Sequence, residues 1–239
     1  MLVGGAFATA TRDVWALNGS TWVKLGDDEL AASGHGAEWD PVHEKLNVFS
    51  LGNTWEWDGN AFISRKAMAP NPRQAMATAF DEAHQQLISY GGMAVPIYYL
   101  EPLDELWLKS ASGWRARGVL PRPMPRHSAG MEWDSVRQRV VMFGGSSVFG
   151  GPMGPVGQRF GETWEWDGVA WQQRMPAHQP QPGGVSSTTW DTATQRVLML
   201  TSQDGLWAWD GSDWSRLAER LRRRPTTAPS RSIASRSRC

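Results

Sequence analysis

Five times along this chain a strand-like segment carries tryptophan in the same column. The lead residues are Trp15, Trp55, Trp107, Trp164 and Trp207. Seven positions after each comes a second aromatic: Trp22, Phe62, Trp114, Trp171 and Trp214. A register kept this strictly is an internal repeat, and a repeat settles architecture before any other sequence signal does. It offers a surface; chemistry has to be found separately in particular residues.

Each copy reads as four strands. In the unit opening at Pro125, His127–Trp133 is the first, closed by Asp134, and Arg139–Phe143 is the second. The second strand is apolar without alternation, as expected for a strand buried on both faces. Glu162–Trp166 is the third and Ala170–Arg174 the fourth. Asn18-Gly19, Asp58-Gly59, Asp167-Gly168 and Asp210-Gly211 follow the third strands, and Ser110-Ala111 departs. Asn-Gly and Asp-Gly predict two-residue hairpin turns with both central residues at positive φ. Trp-x-Trp puts two aromatics on one face of the third strand. Double glycines after second strands (Gly4-Gly5, Gly91-Gly92, Gly144-Gly145) predict close backbone approach or a bulge. The first copy opens at its second strand.

Four-stranded units of this length indicate the blades of a β-propeller. Successive lead tryptophans lie 40, 52, 57 and 43 residues apart, and the variation falls between the second and third strands. With the double glycines, the Pro125-Arg126-His127-Ser128 segment and the tryptophan columns, the chain resembles the kelch-repeat propellers in their divergent bacterial form, the group that includes the central domain of galactose oxidase. The resemblance covers residues 1–217. It implies an all-β, kelch-type propeller of four-stranded blades, about five of them, the first incomplete. Blade limits fall near 1–26, 33–66, 73–117, 125–174 and 184–217. Residues 218–239 read as an Arg/Ser/Pro-rich disordered tail. The incomplete first copy reads as part of a longer propeller, and open edges on the first and last blades favour self-association.

The tail holds seven Arg and one Glu, so the remaining 217 residues carry 17 basic and 23 acidic side chains. A mildly acidic body excludes nucleic acid as the main ligand. No apolar run spans a membrane and no signal peptide is visible, which leaves localisation open. The lone cysteine, Cys239, allows no intrachain disulfide.

The long loops 93–102 and 146–159 share a face with the links between blades, and long loops on a rigid scaffold often carry recognition. That face places Tyr98, Tyr99, Glu101, Phe149, Met153 and Arg159 near Arg73, Arg126 and His127, the candidate ligand-binding set. Arg126 also suits a structural role, bonding carbonyls of a neighbouring blade. Glu56 and Glu165 occupy one column between paired aromatics and read as exposed outer-face residues. The histidines show no ligand spacing, so neither metal nor cofactor is expected. Galactose-oxidase copper chemistry needs a Tyr–Cys crosslink that Cys239 is not placed to supply. The reading is a non-catalytic binding scaffold for a protein or carbohydrate. The alternatives are a propeller-based hydrolase or oxidase, marked by shifted carboxyls at the axis, and a structural assembly module.

Overall fold

The computed structural model describes residues 2–6, 10–27, 36–50, 52–65, 70–94, 101–151 and 154–218. The chain is all-β: four antiparallel four-stranded blades follow a three-stranded sheet. The three-stranded sheet comprises Leu2–Ala6, Ala10–Asn18 and Thr21–Asp27. Blade 2 is Gly36–Asp40, Lys45–Ser50, Asn53–Trp57 and Phe62–Arg65. Blade 3 is Ala77–Asp81, Gln86–Tyr90, Leu106–Ser110 and Gly113–Arg117. Blade 4 is Gly130–Asp134, Arg139–Phe143, Thr163–Trp166 and Trp171–Arg174. Blade 5 is Val185–Asp191, Arg196–Thr201, Gly205–Trp209 and Trp214–Ala218. The first strands of blades 2 to 5 lie side by side in chain order. The tail from residue 219 onward lies outside the described residues.

The second strands explain the core. Val140 and Met142 point to blade 3, where they meet Ala79, Ile88, Tyr90 and Leu108. Val141 and Phe143 point to blade 5 and meet Val197, Met199, Trp209 and Trp214. One strand therefore feeds two inter-blade cores, and no polar alternation survives in it. The tryptophan columns fill the same spaces. Trp164 and Trp166 share one face, as the x-spacing requires. The second aromatics Trp114 and Trp214 donate Nε1–H to Thr54 and Thr163 of the preceding blade, both at 2.8 Å. Leu106 holds that threonine position in blade 3, and the Trp171 Nε1–H has no partner there.

The turns differ from expectation. In blades 2, 4 and 5 the third and fourth strands are joined by four residues, not two, since Trp57 pairs with Phe62 and Trp166 with Trp171. Only the glycine is at positive φ, +101° at Gly59 and +94° at Gly168. The aspartate side chain is the reason: Asp58 Oδ1 accepts from the Asn60 and Ala61 amides at 2.9 and 3.0 Å. An Asx turn of this kind satisfies two amides that a two-residue turn leaves to water. The links between first and second strands use the same device. Asp40, Asp81, Asp134 and Asp191 close the first strands, and Asp134 Oδ1 accepts from the Val136 and Arg137 amides.

The first strand of blade 4 begins at Gly130, later than His127, because Ser128 sits at φ +55° and interrupts it. The preceding segment is used between blades. Ser128 donates its amide to Ala75 O of blade 3, and Val185 of blade 5 donates to Ser128 O.

Candidate functional site

Two regions combine position and chemistry: the loop face and the axis between the first strands. On the loop face, Arg126 is 1% exposed. Its Nε donates to Met124 O at 2.9 Å, Nη1 to Gly144 O at 2.9 Å and Nη2 to Glu162 Oε2 at 2.6 Å. Arg73 repeats the pattern on Asn71 O, Gly91 O and Glu105. Both guanidinium groups are thus occupied by protein acceptors, and the bonded carbonyls belong to the arginine's own blade, not to the neighbouring one. The lead tryptophans complete each latch: Trp107 Nε1 donates to Glu105 and Trp164 Nε1 to Glu162.

The other sequence candidates divide. His127 is half-buried, and its ring nitrogens lie 3.0 Å from Ser128 Oγ and Val148 O. Glu101 and Arg159 are exposed on this face. Phe149 opens a short strand, Phe149–Gly151, that pairs antiparallel with Gly154–Val156. Tyr98, Tyr99 and Met153 lie outside the described residues. Among the described residues no group of three or more His, Cys, Asp or Glu is placed to hold a metal.

Glu56 and Glu165 are not outer-face residues. They are 9% and 3% exposed and stand between blades. Glu165 accepts from Arg174 and from Trp209 Nε1 of blade 5. Glu56 accepts from Lys109 Nζ at 3.0 Å, Arg65 Nε at 3.1 Å and Lys45 Nζ at 3.3 Å. The third strand of a blade is shielded by the blade beside it, so its inward-facing column is buried even far from the axis.

Sequence reasoning missed the axial carboxyls. Glu38 and Glu132 occupy one column of the first strands of blades 2 and 4, two residues before the closing aspartates. Both are half-buried. Burial pushes the Glu38 carboxyl up to about 8, with the Glu132 charge adding to it and a Thr78 hydrogen bond opposing. Burial likewise raises Glu132 to about 7, against hydrogen bonds from the Trp133 amide and Thr188. The legible signal was a glutamate before Trp-Asp in two of four first strands.

Because the folded value of Glu38 lies above its ordinary 4.5, the protonated form favours folding. That stability is fully present below the unfolded value and is lost as pH rises through about 8. Glu38→Gln is neutral at all pH. Urea unfolding should show the parent weakening from mildly acidic to alkaline pH more steeply than the variant, in which the raised Glu132 still titrates. The variant should be more stable at alkaline pH by about 2 kcal/mol, allowing for residual water contact. Parallel pH profiles for the two proteins are the contrary result.

No family model and no curated protein matches the sequence. A solved structure described as "Structure of YjhT" matches with a TM-score of 0.64, over 89% of this chain and 79% of that one, at 12% identity. The two chains share a fold. At that identity the likeness concerns architecture alone, and it places no ligand in the axis or on the loops.

Proposed function

We propose that this chain is a kelch-type binding module that recognises a protein or carbohydrate through its loop face and performs no chemistry on it. The observation that supports this reading is the pre-ordered base beneath the loops. The buried Arg73 and Arg126 latches fix the links. Arg73–Gln74 pairs with Met93–Ala94, Phe149–Gly151 pairs with Gly154–Val156, and Glu101 and Arg159 are exposed. Binding segments rooted on such a fixed base lose less entropy than free ones. The test is an immobilised glycan and peptide array probed with the whole chain, then with a variant whose residues 149–156 are replaced by a Gly-Ser turn. Loss of array signal at unchanged melting temperature supports the reading. Signal that survives the replacement moves recognition away from this hairpin.

A second reading, a propeller-based hydrolase, draws on Glu38 and Glu132. Two carboxyls both raised toward neutral pH, one of them by the charge of the other, can take up and release a proton there. Hydrolysis of a chromogenic glycoside panel, abolished in both Glu38→Gln and Glu132→Gln, would favour it over the binder.

A further inference from the structure

The boundary between blades 2 and 3 departs from the blade 3–4 and 4–5 boundaries in three columns at once. At the blade 4–5 boundary, Val141 of the second strand faces the Trp209 indole of the next blade. The Asp210-Gly211 turn there packs onto Arg137, so closely that a Cβ on Gly211 would meet its side chain at 1.9 Å. At the blade 3–4 boundary, Ile88 and Trp166 hold the corresponding positions, and Gly168 packs onto His84. At the blade 2–3 boundary the second-strand residue is Asn47 and the indole is replaced by Lys109. The turn is Ser110–Gly113, with nothing within 4 Å of a Cβ on Gly113. The missing indole and the withdrawn turn leave a cleft of about 350 Å³, within the range of small-molecule sites.

Its polar lining is informative. Asn47 is 1% exposed, yet neither its Nδ2 nor its Oδ1 has a partner. A buried amide left unpaired is costly, and native chains retain one where something else supplies the bonds. The charges nearby are already committed, with Lys109, Arg65 and Lys45 converging on Glu56. Lys109 is the least exposed cation of the three at 14%, while Lys45 and Arg65 sit at the rim, their side chains 35% and 47% exposed. The unfilled demand at depth is therefore neutral: one acceptor and two N–H donors, beside the Trp114 ring.

We propose that this cleft is a binding site for a small neutral polyhydroxylated ligand, of monosaccharide or polyol size, whose adjacent hydroxyls both donate to and accept from the Asn47 carboxamide. Vicinal hydroxyls offer both functions at the spacing of one carboxamide, and the Trp114 ring offers an apolar surface for ring C–H groups. The site lies among the first-to-second and third-to-fourth strand turns, on the opposite side from the loop face, and stands independently of the function proposed above.

The experiment titrates the full chain with glucose, galactose, mannose and myo-inositol, and with gluconate as an anionic counterpart. Saturation-transfer NMR and tryptophan fluorescence report binding. At least one neutral probe should bind, and gluconate should bind no tighter. Asn47→Val and Lys109→Trp, which install the residues blades 4 and 5 carry in those columns, should weaken binding about tenfold or more through two lost hydrogen bonds or a filled cleft. Replacing the loop-face hairpin should leave the titration unchanged. Should Lys109→Trp disturb the Glu56 cluster, Asn47→Val, which removes polarity without adding bulk, carries the test. No binding by any neutral probe, binding that survives Asn47→Val, or preference for gluconate each overturns the proposal.

Discussion

Arg126→Ala should lower the stability of the chain by about 3–5 kcal/mol, the range for breaking a buried ion pair from one side. For a chain of this size that is a fall of about 6–20 °C in melting temperature. The side chain is fully buried, and its removal strands Glu162, held at 2.6 Å, together with Gly144 O and Met124 O. It also deletes a guanidinium stacked 4.1 Å from the Phe160 ring centroid. Arg126→Lys should recover little, because one ammonium cannot reproduce three bonds in a fixed fork. The matching Arg73→Ala should cost somewhat less, since its partner Glu105, 42% exposed against 32% for Glu162, regains water more fully. Thermal unfolding of the three variants checks the order. An Arg126→Ala protein as stable as the parent would instead release Arg126 for a ligand on the loop face.

That latch shows how far the sequence could be read. Pro-Arg before a first strand, Gly-Gly after a second strand and Glu two residues before the lead tryptophan occur together only in copies three and four. The first two signals are visible as punctuation. The carboxylate carries no local mark, because it meets its arginine 32 or 36 residues away. Strand order, the doubly buried second strands and the aromatic columns follow from periodicity alone. The turns do not, since Asp-Gly serves both a two-residue hairpin and a longer Asx turn. What decides between them is the Asp58, Asp167 and Asp210 side chains bonding their own loops.

The candidate sites were less legible for a related reason. Comparing copies along the chain aligns columns, whereas burial and charge are set by rows that cross a blade and face its neighbour. Glu38, Asn47 and Glu56 form one such row, each paired with the next across adjacent strands. The corresponding row in blade 4 is Glu132, Val141 and Glu165. Set side by side, the rows mark Asn47 as a polar residue in an apolar slot and Glu56 as an inter-blade carboxylate. Burial alone would raise Glu56, but the hydrogen bond and charge of Lys109, then Arg65 and Lys45, hold it down to about 2. An exposed outer-face glutamate would gather no such set of cations.

The double glycines make the last and most local test. Gly91→Ala should destabilise the chain by about 3 kcal/mol or more, while Gly19→Ala should cost about 1–2 kcal/mol. The two glycines have nearly the same backbone, φ +67° and +61°, so left-handed strain is common to both. Their surroundings are opposite. A Cβ on Gly91 would lie 2.2 Å from Arg126 O, whereas nothing lies within 4 Å of one on Gly19. The contact is with backbone and no rotamer change relieves it. The segment carrying Arg126 would have to withdraw from blade 3, breaking the bonds from Gly92 N to Arg126 O at 2.9 Å and from Arg126 N to Leu103 O at 3.0 Å. The difference between the two variants in urea unfolding therefore isolates close approach between blades from conformational strain. Equal losses would mean that the glycine is required for its φ alone and that the blade 3–4 seam adjusts freely.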